Sequence, residues 1–279
     1  MKVVITGANG QLAQDLKAVF SAHHEVFSLS RSELDITNSA SVSEIIHFLR
    51  PDAIVHAAAY TNVDQAESDE DTAYLVNAYG TRNVAVAARQ VAAKMVYIST
   101  DYVFDGNKGT AYNEFDLVNP LCVYGKSKLA GEEMVKSFSD RYFIVRTSWV
   151  FGRHGNNFVK TMLKLTAMRT ELQVVNDQTG SPTYTIDLAA FLKELIETEK
   201  YGVYHASNAG ACTWYEFAKA IIAEAGLTCK VAPIETKDLP RPARRPAYSV
   251  LDHMAIRLNG FPEMRHWTDA LHTYMSASL

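Results

Sequence analysis

Apolar and polar positions alternate in two ways along the first half of the chain. Short runs of apolar, often β-branched residues are typical of buried strands: 2–6, 25–29, 53–56, 95–99 and 143–147. Between these strands lie longer segments with apolar residues at helical spacing: 11–22, 39–49, 73–92 and 124–138. Residues 61–70 are polar and predict a connection. This alternation predicts a parallel sheet with helices on both faces and right-handed crossovers.

The pattern is less regular after residue 150. Helices are predicted over residues 158–167, 186–199 and 214–225, and strands over residues 172–175 and 202–205. The predicted fold class is therefore α/β, a doubly wound parallel sheet with a smaller α/β region at its C-terminal side.

Composition and charge narrow the function classes. Hydrophobic residues make up 48% of the 279 residues and charged residues 21%, as in ordinary globular proteins. The formal net charge of −4 gives no indication of nucleic-acid binding, and no apolar run is long enough to span a membrane. Three cysteines, Cys122, Cys212 and Cys229, are an odd number without a Cys-x-x-Cys pair. We expect reduced thiols in a cytoplasmic protein.

A glycine-containing turn follows the first predicted strand and opens the first predicted helix, with the sequence Gly7-Ala8-Asn9-Gly10-Gln11-Leu12-Ala13. Gly7 permits a sharp turn, Gly10 lets the backbone approach a pyrophosphate, and the helix N-terminus offers free N–H groups. The spacing G-x-x-G-x-x-A differs from G-x-G-x-x-G, and a plain turn that needs glycine is the alternative. The flanking strand and helix favour a Rossmann-type dinucleotide site. Its expected residues here are Gly7, Asn9, Gly10, Gln11 and Leu12.

The end of the second strand is where the adenosine ribose lies in a dinucleotide fold. Arg31, helped by Ser30, suggests a 2′-phosphate and so NADPH, although a solvated loop arginine is an equal alternative and NADH stays open. Asp35 and Ile36 are candidates to cap the adenine.

The third strand ends in His56, which could be a ligand or base, although a hydrogen-bonded core histidine fits better. Small residues after it would let a cofactor lie close over the strand ends: Ala57, Ala58, Ala59 and the following Tyr60. Asn77, inside the helix predicted over residues 73–92, could position a backbone group or a water.

Tyr124 and Lys128 are four residues apart, which places both on one face of a helix. An ammonium group beside a phenol lowers the phenol's pKa, so the pair is a plausible acid/base device. A solvated helix face is the alternative. Thr100, Asp101 and Tyr102 follow the fourth strand, at the sheet edge where ligands bind in open α/β sheets.

A basic, proline-rich segment covers residues 240–246, with the sequence PRPARRP. A surface linker is one interpretation. The other is an anion clamp over a substrate phosphate, because arginine grips phosphate groups bidentately.

These elements together resemble the extended short-chain dehydrogenase/reductase family: Gly7-x-x-Gly10, Ser99-Thr100-Asp101, Tyr124-x-x-x-Lys128 and the strand–helix order. More specific strings are similar to those of family members that reduce dTDP-4-dehydro sugars: residues 58–67, 99–104, 146–149, 155–158, 176–178 and 245–246. The resemblance runs from residue 1 to about residue 267. It implies an NAD(P)-binding Rossmann domain over residues 1–150. A mainly substrate-binding region would cover residues 151–279, with some segments returning to the sheet.

The resemblance also implies an activity. NADPH, or NADH, would deliver hydride to the C4 ketone of dTDP-4-dehydro-β-L-rhamnose, the last step of dTDP-L-rhamnose synthesis for cell-surface polysaccharide. Tyr124 would be the general acid, Lys128 would lower its pKa and hold the nicotinamide ribose, and Thr100 would hydrogen-bond the carbonyl. Residues implied to bind the substrate are Thr100, Asp101, Tyr102 and Trp149 at the sugar, with Asn156, Gln178 and Arg245 at the nucleotide diphosphate.

Some relatives bind Mg²⁺ through acidic side chains at a dimer contact. Asp15 and Asp187 stand near the corresponding places without a full ligand set, so we interpret them as surface acids and leave Mg²⁺ open, as well as monomer or homodimer. Another nucleotide-sugar 4-ketoreductase is the alternative enzyme. A sugar 4-epimerase is disfavoured by Arg31, and a non-catalytic regulatory subunit by the intact set of Thr100, Tyr124 and Lys128.

Overall fold

The computed structural model describes residues 1–278. Its strands are β1 (Lys2–Thr6), β2 (Glu25–Leu29), β3 (Ala53–His56), β4 (Lys94–Thr100), β5 (Tyr142–Thr147), β6 (Val150–Phe151), β7 (Glu171–Val175), β8 (Thr179–Gly180), β9 (Thr183–Tyr184), β10 (Gly202–His205), β11 (Cys212–Thr213) and β12 (Lys230–Ile234). Its α-helices are α1 (Gln11–Phe20), α2 (Ser39–Leu49), α3 (Val63–Ala66), α4 (Glu70–Tyr74), α5 (Thr81–Gln90), α6 (Val123–Phe138), α7 (Phe158–Thr166), α8 (Thr185–Ile196), α9 (Trp214–Glu224), α10 (Met254–Leu258) and α11 (Trp267–Ser278).

Six strands form one parallel sheet in the order β10-β5-β4-β3-β1-β2. The chain order reverses between β1 and β3, and such a reversal leaves a crevice at the carboxyl ends of the strands. The predicted α/β class with a Rossmann-type parallel sheet is confirmed.

Helices cover both faces of this sheet because each presents an apolar stripe to it. On one face, Leu16 of α1 and Leu192 of α8 are fully buried with sheet residues such as Val55. On the other face, α2, α5 and α6 bury the side chains of Ile46, Val84 and Val135 respectively. Burying one such side chain stabilises the fold by about 1.5–3 kcal/mol. Helix packing on both faces therefore holds the strands, and with them their carboxyl ends, in place.

The second half of the chain builds a smaller unit and also contributes to the main sheet. β7 and β12 form a parallel pair beside α7 and α9, around a core that includes Phe217 and Trp267. β10 pairs with β5 in the six-stranded sheet, and α8 packs on α1. The assignment of cofactor binding to residues 1–150 and substrate binding to residues 151–279 stays a prediction.

Several local predictions need correction. The polar connection over residues 61–70 contains the short helix α3, and the helix predicted over residues 73–92 is interrupted by a π-helical segment, Leu75–Gly80. Two-residue strands such as β8 and β11 carry no periodicity that a sequence pattern could show. β12 contains Pro233, which a strand tolerates where its other side is unpaired.

Two further features are the state of the cysteines and the character of the helices. The cysteines are free, with Cys122 and Cys212 buried and Cys229 half-buried. Within residues 1–278, no helix has both the length and the apolar character needed to cross a membrane.

Candidate active site

A cleft of about 1010 Å³ lies at the carboxyl ends of the central strands, at the reversal of strand order. Most of the predicted site residues line it: Gly7, Asn9, Gly10, Gln11, Leu12, Arg31, Asp35, Ile36, Ala57, Ala58, Ala59, Tyr60, Thr100, Asp101, Tyr102, Tyr124, Lys128, Trp149 and Asn156. The cleft therefore brings together the groups that the sequence predicted for cofactor, sugar and proton transfer.

The glycine turn after β1 requires glycine for two reasons. Gly7 has φ +76°, in the left-handed region that favours glycine. A Cβ on Gly7 would also lie 2.8 Å from Cα of Ala58, so no larger residue fits between the turn and the segment after β3. The Gly10 N–H donates to the Gly7 carbonyl at 2.8 Å, which closes the turn at the N-terminus of α1. The turn suits the close approach of a pyrophosphate.

Gln11 joins this turn to the second half of the chain. Its Nε2 donates to the Val150 carbonyl at 3.1 Å, and its Oε1 accepts from Asn157 Nδ2 at 2.7 Å. Both ends of the Gln11 amide are therefore engaged within the protein, and its role toward a cofactor stays a prediction.

His56 supports the cleft from below. Its Nδ1 lies 2.7 Å from Thr6 Oγ1 and its Nε2 lies 3.1 Å from Thr81 Oγ1, while Thr6 Oγ1 also accepts from the Ala58 N–H at 3.2 Å. Burial lowers the pKa of His56 to about 3, with a smaller contribution from the charge of Lys128. His56 is thus a hydrogen-bonded core histidine, the interpretation that the sequence favoured.

The Asn77 side chain holds the backbone of Tyr60, in the segment after β3. Its Oδ1 accepts from the Tyr60 N–H at 2.8 Å, and its Nδ2 donates to the Tyr60 carbonyl at 3.1 Å and to Ser127 Oγ at 3.0 Å. Asn77 lies in the π-helical segment, and such segments frequently mark functional sites. The prediction that Asn77 positions a backbone group is confirmed.

Lys128 is buried on α6, and its amine lies beside β4. Its Nζ donates to the Ile98 carbonyl at 2.6 Å and lies 4.0 Å from the centroid of the Tyr97 ring. Burial lowers the pKa of Lys128 to about 7, and the charge of Glu132 opposes this shift.

Tyr124 differs from the expectation in its protonation. Burial raises its pKa, the charge of Asp101 adds to the rise, and a hydrogen bond with Thr100 opposes it. The pKa of Tyr124 is thus raised overall in this structure, and the expectation that Lys128 acts on Tyr124 stays a prediction.

Thr100 ends β4 and caps the short 3₁₀ turn Asp101–Val103. Its Oγ1 donates to Asp101 Oδ1 at 3.1 Å and accepts from the Tyr102 N–H at 3.2 Å. Ser249 Oγ donates to Asp101 Oδ2 at 2.6 Å. Burial raises the pKa of Asp101 to about 6. Thr100 and Asp101 are therefore held in one hydrogen-bonded unit at the cleft.

Gly125 sets how closely α6 approaches this unit. A Cβ on Gly125 would run into the carbonyl oxygen of Tyr102 and would lie 3.0 Å from Cβ of Pro120. The absence of a side chain lets the rings of Tyr102 and Tyr124 meet edge to face, with centroids 5.5 Å apart. Sequence reasoning missed this role, although glycine between Tyr124 and Lys128 was a signal.

Trp149 is held in an unusual backbone conformation. Its φ of +46° lies in the left-handed region, which is uncommon for a bulky residue and typical of functional sites. Its ring stacks on Trp214 with centroids 3.4 Å apart, and a Cβ on Gly180 would lie 2.5 Å from Trp149 Cε2. Trp214 and Gly180 were not predicted, since both are distant from Trp149 in sequence.

Arg31 and Ser30 differ in their position relative to the cleft. The Arg31 side chain is 85% exposed and lines the cleft. Its Nε lies 3.9 Å from Asp35 Oδ2, so most of the guanidinium is accessible to an anion. Among the described residues, Ser30 is not in the cleft wall, and its hydroxyl donates to Glu33 Oε2 at 2.6 Å. The expectation that Ser30 helps Arg31 stays a prediction.

Gln178 and Arg245 also lie outside the cleft wall within residues 1–278. Gln178 is buried and donates to Thr236 Oγ1 at 2.9 Å. Arg245 makes a bidentate ion pair with Asp64, at 3.1 and 3.0 Å. Both side chains are thus engaged with other residues of the protein, and their assignment to the nucleotide diphosphate stays a prediction.

Asp15 and Asp187 are not surface acids. Asp15 is buried and accepts from Thr185 Oγ1 at 2.5 Å, and Asp187 is paired with Arg265 at 2.8 Å. Across the described residues, no group of three or more His, Cys, Asp or Glu side chains is placed to hold a metal ion.

Comparison with known proteins identifies one family and several similar proteins. The family described as RmlD substrate binding domain matches residues 1–279. The spore coat polysaccharide biosynthesis protein SpsK of Bacillus subtilis is 44% identical over 98% of this chain and 96% of its own length. The dTDP-4-dehydrorhamnose reductase of Aggregatibacter actinomycetemcomitans is 45% identical over 97% of each chain.

A solved structure extends the similarity to the fold. The dTDP-4-dehydrorhamnose reductase of Bacillus anthracis, in complex with NADP, has a TM-score of 0.98 at 48% identity and covers 99% of each chain. The resemblance stated from the sequence motifs is confirmed. The chain belongs to the RmlD substrate binding domain family, with dTDP-4-dehydrorhamnose reductases among its relatives.

Proposed function

We propose that this chain reduces the C4 ketone of dTDP-4-dehydro-β-L-rhamnose to dTDP-L-rhamnose with NADPH. The observation that carries the proposal is the convergence of Thr100, Tyr124 and Lys128 in one cleft with the Gly7 turn. Family membership and relatives named for this reaction support it.

The cleft fits a dinucleotide phosphate. The Gly7 turn leaves room for a pyrophosphate at the N-terminus of α1, and the exposed guanidinium of Arg31 offers a charge for a 2′-phosphate. The relative from B. anthracis was solved with NADP. When bound, NADPH supplies the hydride.

Tyr124 acts as the general acid. Its raised pKa keeps the phenol protonated at neutral pH, so a proton is available when charge develops on the C4 oxygen. An alkoxide is a much stronger base than a phenolate, so the transfer is favourable even from a phenol whose pKa is raised. To donate to the same oxygen, the Thr100 hydroxyl turns away from Asp101 Oδ1, while the Tyr102 N–H keeps the Thr100 oxygen in place.

Lys128 binds the nicotinamide ribose and supplies a positive charge near Tyr124. With a pKa of about 7, its amine changes charge close to neutral pH. In its cationic form it stabilises the tyrosinate that remains after Tyr124 gives up its proton. Trp149 would offer an apolar face to the deoxysugar, Asp101 and Tyr102 would line the sugar pocket, and Asn156, which lines the same cleft, would contact the nucleotide.

The test follows NADPH absorbance with dTDP-4-dehydro-L-rhamnose made in situ, and identifies the product by NMR. The proposal predicts NADPH oxidation with dTDP-L-rhamnose as product. NADPH binding without oxidation would contradict it and would favour another keto sugar or a non-catalytic subunit.

A further inference from the structure

Glu132 is a buried carboxylate without a role in the reaction so far described. It lies on α6 four residues after Lys128 and its side chain is fully buried. A buried carboxylate is costly unless it is paired and hydrogen-bonded. Its Oε1 accepts from Ser99 Oγ at 2.6 Å and from Arg146 Nε at 2.9 Å, and its Oε2 accepts from Arg146 Nη2 at 2.8 Å.

Both partners of Glu132 stand next to the cleft. Ser99 directly precedes Thr100 at the end of β4, and Arg146 on β5 is three residues before Trp149. One carboxylate therefore connects the helix of the proposed acid to the strand ends that carry the carbonyl-binding hydroxyl and the sugar-facing ring.

We propose that Glu132 is a positioning residue of the active site, whose carboxylate holds α6 against the ends of β4 and β5 and keeps a negative charge one helical turn from Lys128. This inference rests on the proposed function for its effect on turnover.

The surrounding charges make this effect specific. The titratable groups packed around Glu132 and Lys128 come from five elements: Tyr97 of β4, Arg146 of β5, His205 of β10, His56 of β3 and Tyr124 of α6. Burial holds the pKa values of both histidines low, so neither imidazole adds charge at neutral pH. The negative charge of Glu132 raises the pKa of Lys128 against the effect of burial.

The chain offers a matched control. Glu133 is the next residue on α6, with a side chain 57% exposed and paired to Lys136. Glu132→Gln and Glu133→Gln remove the same charge from neighbouring positions. We expect Glu132→Gln to lower the Lys128 pKa by about one unit and kcat at pH 7 by roughly tenfold, while Glu133→Gln changes neither by a measurable amount.

The Lys128 pKa is read directly by NMR of protein carrying ¹³C-labelled lysine side chains, with the Lys128→Arg variant assigning the signal. Kinetic pH profiles with NADPH and the dTDP sugar give the second readout. If the wild type does not turn over the sugar, the proposed function fails, and the NMR titration still decides whether Glu132 acts on Lys128.

Glu132→Gln leaves Arg146 without its carboxylate, which is strongly destabilising. The double variant Glu132→Gln/Arg146→Gln replaces the ion pair with two amides that can hydrogen-bond. We expect it to recover much of the lost Tm, with the Lys128 pKa and kcat between those of Glu132→Gln and the wild type, because the Arg146 cation is removed as well. A folded variant of either kind with the wild-type Lys128 pKa and pH profile would show that Glu132 only stabilises the fold, and would overturn the inference.

Discussion

His56→Gln isolates one buried group that makes stability depend on pH. Glutamine retains a donor and an acceptor for Thr6 and Thr81 but does not titrate. In the folded protein, burial lowers the pKa of His56 from 6.5 to about 3. As the pH falls below 6.5, the unfolded chain binds a proton at His56 and the folded chain does not. The stability contributed by the neutral imidazole is therefore present above pH 6.5 and is lost between about 6.5 and 3.

The magnitude follows from the size of the shift. Each pH unit within this window costs about 1.36 kcal/mol, so His56 accounts for about 2 kcal/mol of lost stability between pH 6.5 and pH 5. The assay is urea unfolding of the wild type and His56→Gln at pH 7 and at pH 5. Groups common to both proteins cancel in the comparison.

We expect the wild type to lose about 2 kcal/mol more than His56→Gln when the pH changes from 7 to 5. Equal losses in the two proteins would refute the reasoning, since His56 would then be protonated to the same extent in the folded and unfolded chains. A uniform destabilisation of His56→Gln at both pH values would report only lost packing.

Three further predictions concern the cleft. Tyr124→Phe should lower kcat by roughly 10²–10⁴-fold in stopped-flow assays and leave NADPH affinity unchanged by fluorescence titration. Arg31→Ala should raise the Kd for NADPH by about tenfold or more and leave that for NADH unchanged, with exposed Arg89→Ala as the control. Gly180→Ala should push the Trp149 ring and lower kcat/KM for the sugar by about tenfold, without an effect on NADPH binding.

Each of these has a contrary result. Near-full turnover by Tyr124→Phe would remove the phenol from proton transfer. Equal losses for NADPH and NADH in Arg31→Ala would mean that Arg31 does not contact a 2′-phosphate. An unchanged kcat/KM in Gly180→Ala would place the sugar away from Trp149.

The sequence predicted the central sheet well because buried parallel strands are continuous apolar runs. It also predicted site residues that lie close together in the chain. Gly7 and Gly10 share one turn, and Tyr124 and Lys128 share one helix turn, so their relation needs no knowledge of the tertiary fold.

Long-range pairings could not be predicted in the same way. Asp64 engages Arg245 from 181 positions away, and nothing in the basic segment over residues 240–246 indicates that partner. The pKa of Tyr124 was misjudged for a related reason. A helix spacing shows that Lys128 is near, but not that the phenol of Tyr124 is buried in a way that raises its pKa.

The most direct test of the account is transfer of deuterium from NADPH labelled at the nicotinamide C4 to dTDP-4-dehydro-L-rhamnose, followed by NMR of the product. The account predicts dTDP-L-rhamnose with deuterium at C4 of the sugar from the wild type, and almost none from Tyr124→Phe. Deuterium at another carbon, or no labelled product from the wild type, would contradict the proposed reduction.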